Sequence, residues 1–208
     1  LALRQAFSGK KTDFDGDTVA SKGYRQPATD VPIFLAGLRG RMLEAAAEHG
    51  DGVVLNFWPN RALEKIMKHI GVGAEKAGKG IADREVINRY QICITDDPAA
   101  ARDKFRASFG AYFATGVYND FLAWAGFEEE AGQILEGFKA RDRAAVGRAF
   151  SDELVNELAL IGPAEYVVER LRDCGERGVD THIFSTFAGY TREEYSQVVQ
   201  DLAECWHR

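Results

Sequence analysis

The stretch VPIFLAGLRGRMLEAAAEHGDGVVLNFW, residues 31–58, places a helical pattern between two short hydrophobic runs. The first run, residues 31–36, is continuously apolar and includes β-branched side chains, which predicts a buried strand. Residues 39–49 carry apolar side chains at helical spacing, and Gly50 is typical of a helix end. Residues 53–57 form the next apolar run. The stretch therefore predicts a strand, a helix and a second strand.

The same alternation continues along the chain. Residues 85–95 and 181–186 predict two more strands. Asp97 followed by Pro98 predicts a capped helix start, and Ser151 predicts another. The predicted helices cover residues 1–8, 60–77, 98–114, 116–150, 151–162, 163–178 and 191–206.

Alternating strands and helices predict an α/β fold with a parallel sheet and crossover helices. Four strands are evident, whereas a closed (β/α)8 TIM barrel takes roughly 250 residues. We therefore predict that residues 1–208 are a single domain holding the last four βα units of a TIM barrel, with a long helical insertion over residues 97–178. The sheet edges would be covered by an absent first half or by a partner chain. A start at Leu1, inside a predicted helix, is interpreted as a piece of a longer polypeptide, with the loss of a short leader as the alternative.

Composition restricts the class of protein. The chain has 208 residues, 46% of them hydrophobic, and a formal net charge of −6, without the basic patch that nucleic-acid binding requires. No apolar stretch approaches the roughly 20 residues that span a bilayer. Three widely spaced cysteines make a disulfide framework improbable and predict a reducing, cytoplasmic compartment.

The loop after the first strand is the main candidate site. Ligands of βα folds lie at the carboxyl ends of the strands, where Gly37, Leu38, Arg39, Gly40 and Arg41 form the loop and first helical turn. Free backbone N–H groups and the helix dipole would attract a phosphate there, with an arginine adding a charged contact. The same residues also fit a tight turn with two solvated arginines, and both interpretations stay open at this point.

The second strand ends on the same side of the predicted sheet. Asn56 would hydrogen-bond a cofactor, and Trp58 would form the wall for a flat ring. Ordinary packing of a satisfied polar group beside an aromatic ring is the equal alternative.

Other polar residues have structural explanations. Asp51, in a Gly-Asp-Gly sequence, lies at the helix-to-strand turn on the stability face of a barrel and is interpreted as structural. His182 and Cys93 lie inside strands and are interpreted as a bonded core histidine and a packed thiol. We assign no catalytic residue and no metal site from the sequence.

Taken in order, these segments resemble the luciferase-like monooxygenase family, especially the branch that uses coenzyme F420, a deazaflavin. The resemblance rests on VPIFLAGLRGRMLEAAAEHGDGVVLNFWP, on DFDGDTV as a hairpin, on CITDDPAAARDKFRASFGAYF, and on SDELVNELALIGPAEYVVERLRDCGERGVDTHIF. It covers nearly the whole chain, while the first half of the family's barrel is missing.

The resemblance implies a (β/α)8 barrel with coenzyme F420, or FMN as the alternative, at the carboxyl ends of the strands. It implies hydride transfer between that cofactor and a small organic substrate, and it maps the cofactor phosphate onto residues 37–41. It also implies a homo-oligomer in the form of a dimer. Two alternatives are an FMN-dependent monooxygenase and a non-catalytic half-barrel that binds or assembles with another subunit.

Overall fold

A computed structural model describes residues 2–187 and 189–207. The strands in this part of the chain are β1 (Asp13–Asp15), β2 (Ala20–Lys22), β3 (Phe34–Ala36), β4 (Gly52–Asn56), β5 (Glu85–Ile94), β6 (Ala159–Gly162) and β7 (Thr181–Thr186). The helices are α1 (Ala2–Phe7), α2 (Gly40–His49), α3 (Leu63–Lys76), α4 (Pro98–Phe113), α5 (Gly116–Trp124), α6 (Glu128–Lys139), α7 (Arg143–Ala149), α8 (Asp152–Leu158), α9 (Ala164–Glu176) and α10 (Arg192–Trp206). Short 3₁₀ turns cover Asn60–Ala62 and Ile81–Asp83.

The four predicted strands are confirmed as the parallel strands β3, β4, β5 and β7. The register pairs Ala36 with Val54 between β3 and β4, and Asn56 with Arg89 between β4 and β5. On the other edge of β5, Arg89 lies opposite Ile183 of β7. All carboxyl ends therefore meet at one edge of the sheet, as crossover connections require.

A fifth parallel strand, β6, was not predicted, and the expectation of a helix over residues 151–162 is wrong in its second half. The helix α8 ends at Leu158, and Ala159–Gly162 pairs with the carboxyl half of β5. Gln91 of β5 is paired with both Ala159 and Ser185, so β6 lies on the same edge as β4. The run is buried throughout, and ladder pairing outweighs the helix propensity of its Ala and Leu residues.

The first strand is shorter than the predicted residues 31–36. Pro32 has no N–H to donate, and the N–H of Ile33 bonds the Asp51 carboxylate at 2.7 Å instead of a strand. The other Asp51 oxygen accepts a hydrogen bond from Arg4 at 2.9 Å. The structural interpretation of the Gly-Asp-Gly turn is thus confirmed.

The two faces of the sheet differ in burial. Side chains alternate between the faces, and Val53, Leu55 and Val86 are almost fully buried against the helices. On the opposite face Arg89 and Ile183 are exposed, the latter by 45%. In a barrel this second face points inward, and the described residues leave it largely uncovered.

The insertion predicted over residues 97–178 is only partly confirmed. Residues 98–158 hold five helices, α4 to α8, but the rest of the predicted range contains the parallel strand β6 and the helix α9. The predicted caps at its ends are present: Asp97 accepts a hydrogen bond from Ala100 N, and Ser151 accepts one from Leu154 N. Helices α4 and α5 carry aromatic side chains over the carboxyl end of the sheet, which positions the site. No helix within residues 2–187 and 189–207 is both long and apolar enough to cross a bilayer.

Candidate functional site

A cavity of about 310 Å³ opens at the carboxyl ends of β4, β5 and β7, beneath helix α4. This is the edge at which parallel βα folds bind ligands. Its lining residues are Asn56, Phe57, Arg89, Gln91, Ser108, Phe109, Tyr112, Thr186 and Phe187. Aromatic rings from α4 and from the end of β7 form one wall, and polar side chains from the strands form the floor.

Asn56 is the last residue of β4 and one of the predicted ligands. Its side-chain oxygen is buried and has no hydrogen-bond partner among the described residues. A buried amide oxygen without a partner costs on the order of 1–3 kcal/mol, so it marks a position suited to a ligand donor. On the floor beside it, Gln91 accepts a hydrogen bond from the Ser185 hydroxyl at 3.1 Å, which holds the Gln91 side chain in place.

Phe57 gives the aromatic wall its position. Its backbone adopts φ 53°, a left-handed conformation that side chains larger than glycine rarely adopt. The chain leaves the line of β4 at this residue, and the ring turns into a cluster in which it lies 5.1 Å from Phe109 and 4.9 Å from Phe113. The bend also leaves the carboxyl half of β5 free to pair with β6.

Tyr112 contributes a phenol to the same wall. Its ring lies 4.1 Å from that of Tyr118, centroid to centroid. Burial, with the Tyr118 contact second, raises the pKa of the Tyr112 hydroxyl. The group therefore stays protonated at neutral pH.

The predicted phosphate loop lies beside this cavity, at the carboxyl end of β3. Gly37 is buried, and a side chain there would meet the backbone of Leu43 at 3.1 Å, so glycine favours the close approach of α2. The N–H of Gly37 bonds Val54 O at 3.2 Å, which corrects the expectation that this amide is free for an anion. No such bond ties the amides of Leu38 and Arg39 to a described residue.

The two arginines of the loop differ. Arg39 forms an ion pair with Asp120 of α5 at 2.9 Å, and both side chains are partly exposed. Arg41 is exposed in the first turn of α2, directly after Gly40, whose φ is 44°. First-turn amides of a helix lack intrahelical acceptors, so this end of α2 presents N–H donors and one unengaged guanidinium.

Trp58 does not line the cavity. It is 5% exposed and packs on the opposite side of the sheet, near Tyr90 and Cys174. The prediction that its ring forms a wall for a cofactor is therefore wrong. The left-handed turn at Phe57 breaks the strand alternation that would have placed Trp58 on the same side as Asn56.

The structural interpretations of His182 and Cys93 are confirmed. His182 Nδ1 lies 3.2 Å from the Tyr90 hydroxyl, and burial lowers the pKa of the imidazole. Cys93 is 4% exposed, with its sulfur 3.2 Å from the Tyr190 hydroxyl. Neither residue reaches the cavity.

Arg89, Gln91, Tyr112 and Thr186 line the cavity without having been predicted from the sequence. A signal for the first two is present in EVINRYQICIT, where Arg89 and Gln91 share one face of the strand with Ile87. A charged residue on the same face of the strand as Ile87 indicates that this face is not simply part of a hydrophobic core. Tyr112 and Thr186 carry no comparable signal.

The sequence profile of the luciferase-like monooxygenase family matches residues 1–181. The chain belongs to this family.

Two curated proteins of this kind are similar to the chain. One is 5,10-methylenetetrahydromethanopterin reductase of Archaeoglobus fulgidus, 24% identical over 205 residues, which are 95% of this chain and 61% of that protein. The other is the enzyme of the same name from Methanolobus tindarius, 27% identical over 203 residues, 95% of this chain and 62% of that protein. The chain thus spans about three fifths of the length of these relatives.

A solved structure supports the fold. The coenzyme F420-dependent tetrahydromethanopterin reductase of Methanopyrus kandleri superposes with a TM-score of 0.78 at 21% identity, covering 99% of this chain and 61% of that one. The predicted α/β fold class of the luciferase-like barrels is confirmed by this similarity.

Proposed function

We propose that the chain is part of an oxidoreductase that transfers hydride between coenzyme F420 and a small organic substrate. The observation that carries the proposal is the cavity at the carboxyl edge, where the unpartnered Asn56 oxygen faces an aromatic wall. Family membership and the coenzyme named for the Methanopyrus kandleri reductase support the choice of cofactor.

The residues present fit such a cofactor. Phe109 and Tyr112, whose rings lie edge to face at 73°, offer aromatic contacts to a ring, and the Asn56 amide offers a hydrogen bond to its polar edge. The amides of Leu38 to Arg41, with the two arginine side chains, would hold a phosphate. When bound, the deazaflavin supplies the hydride chemistry, and the protein orients it and excludes water.

FMN is the alternative cofactor, in which case the protein would be a monooxygenase as the family name implies. The same aromatic wall and phosphate loop would serve it. The choice between the two is made by comparing their affinities for the chain.

A non-catalytic assembly protein is the second candidate function. It is favoured by the uncovered sheet face around Ile183 and by the free outer edges of β3 and β7 among the described residues.

We propose that residues 1–208 are one domain forming the C-terminal portion of a barrel, in a cytoplasmic homodimer. Sedimentation equilibrium tests the dimer, and a mass of one chain at all concentrations would contradict it.

Titration with each cofactor, followed by absorbance or fluorescence, tests the enzyme proposal. We expect micromolar binding of coenzyme F420, and binding about tenfold weaker for each arginine removed in Arg39→Ala and Arg41→Ala, since each charge-assisted contact is worth about 1.5–3 kcal/mol. Arg143→Ala, an exposed arginine at the start of α7, is the matched control and should bind normally. Asp120→Asn, which releases Arg39, should leave affinity unchanged or raise it.

The result that contradicts the proposal is equally specific. If the chain binds neither coenzyme F420 nor FMN at micromolar concentrations, the assignment as an oxidoreductase fails. If the double variant binds as tightly as the unaltered chain, the phosphate does not lie at residues 38–41.

A further inference from the structure

We propose that the cavity at the carboxyl edge selects an anionic group, a carboxylate or phosphate, and that Arg89 is the residue that recognises it. The inference rests on the proposed function for what carries that group, which is either the substrate or the cofactor. The chemistry of recognition itself follows from the residues of the cavity.

The position of Arg89 is set by strand register. It lies in β5 opposite Asn56 on one side and Ile183 on the other, so its side chain projects from the inner face of the sheet. It is exposed and lines the cavity together with Asn56 and Gln91. Its neighbours two residues away on the same face include Ile87, which offers no counter-charge.

Within the described residues Arg89 has no ion pair. The nearby acidic groups are engaged or distant: Asp120 pairs with Arg39, and Asp97 caps α4. Glu85 is on the same strand but four residues earlier, about 13 Å away at the strand rise. An exposed guanidinium without a counter-charge at the cavity is free to bind an incoming anion.

The other residues that line the cavity also favour an anionic ligand. Arg89 is the only charged residue among the nine that line the cavity, in a chain whose net charge is −6. Ser108, Tyr112 and Thr186 add hydroxyl donors, and Gln91 adds an amide. A cavity with one cation, several donors and no carboxylate fits a carboxylate or phosphate, which a guanidinium binds through two parallel hydrogen bonds.

Calorimetric titration of the full chain with inorganic phosphate tests the proposal without any cofactor. Each variant is also made together with Arg39→Ala and Arg41→Ala, which separates this site from the loop of residues 38–41. We expect saturable binding at millimolar phosphate, lost or weakened about tenfold or more in Arg89→Met. Arg89→Lys should weaken it less, because lysine keeps the charge but not the two parallel hydrogen bonds. Arg143→Met is the control and should bind phosphate like the unaltered chain. Circular dichroism of each variant establishes that it is folded.

Two results would overturn the inference: no phosphate binding by the unaltered chain, or equal binding by the folded Arg89→Met variant. Repeating the titration with saturating coenzyme F420 identifies the source of the anion. Undiminished phosphate binding assigns the group to the substrate, whereas its loss, with weaker coenzyme binding in Arg89→Met, assigns it to the cofactor. If neither F420 nor FMN binds while phosphate binding still depends on Arg89, the proposed function fails and the anion site stands.

Discussion

Asn56 shows at the scale of one residue how this site departs from ordinary packing. A strand end in a protein interior normally satisfies its polar atoms, yet the Asn56 oxygen is buried without a partner among the described residues. Asn119 is the contrasting case, because its buried amide donates to Ala131 O at 2.7 Å and to Phe113 O at 3.3 Å. The first asparagine leaves a buried acceptor without a partner, and the second ties α5 to α6.

Substitution by leucine should separate these two roles. In Asn56→Leu the free energy of unfolding should stay constant or rise by up to about 1 kcal/mol, because an unsatisfied group is removed, while cofactor affinity falls. In Asn119→Leu the free energy should fall by about 2 kcal/mol, because two carbonyls lose a donor, while cofactor affinity persists. Urea unfolding and cofactor titration measure both quantities. A large loss of stability in Asn56→Leu would show that its oxygen has a structural role.

At the scale of elements, α2 and α3 pack at very close range. Gly73 of α3 faces the backbone of Glu44 in α2, and a methyl group there would overlap that carbonyl. The Glu44 side chain then spans the same contact, 2.8 Å from His69 Nδ1 and 2.5 Å from Lys76 Nζ. These two helices support the strand β4 that ends at the cavity.

Two alanine substitutions in one helix should therefore have opposite effects. Gly73→Ala should lower the free energy of unfolding by about 1–3 kcal/mol, because α2 must shift to relieve the overlap. Gly71→Ala, whose new methyl group would meet nothing within 4 Å, should raise it by roughly 0.5–1 kcal/mol through helix propensity. Thermal unfolding of both variants measures the difference. Equal effects would show that the close approach of α2 and α3 does not constrain the fold.

At the scale of the whole molecule, carboxylates fasten distant elements. The pKa of Glu44 is lowered by Lys76 and His69, that of Asp51 by Arg4 and the Ile33 N–H, and that of Asp152 by Arg106 and Arg102. The pKa of Glu194 is lowered by the backbone N–H and hydroxyl of Thr191 in the cap of α10. These contacts connect α2 to α3, α1 to β3, and α4 to α8.

Stability should therefore fall in acid. A carboxylate with a lowered pKa in the folded state stabilises the fold above its ordinary pKa, near 3.8 for Asp and 4.5 for Glu, and this contribution is lost as the pH falls through the lowered value. His182, whose pKa is lowered by burial, adds a loss that begins as the pH falls below 6.5. Calorimetric melting from pH 7 to pH 3 should show a continuous decrease in Tm. Asp152→Asn should melt lower at pH 7 and lose less on acidification, and a Tm that rises in acid would contradict this assignment.

Much of the candidate site could be anticipated, with identifiable exceptions. The apolar runs placed Asn56 and residues 37–41 at the carboxyl edge, where the structure has them. The exceptions were the bonded amide of Gly37, the inward turn of Phe57 that removes Trp58 from the cavity, and the place of Arg89 in its floor. Each depends on which strand lies beside the residue, and the local sequence around a residue does not show which strand that is.

The sequence by itself determined the strands and helices whose signals are local, including the caps at Asp97 and Ser151 and the glycine-bounded turn before β4. These depend on hydrogen bonds and side-chain periodicity within a few residues, so the neighbouring residues in the sequence are sufficient to determine them. Only the tertiary structure decided that Ala159–Gly162 is a strand, since its pairing partner in β5 lies 68 positions earlier, from Gln91 to Ala159. The same holds for the cavity, which joins Asn56, Arg89 and Thr186 because a parallel sheet brings distant strand ends to a common edge.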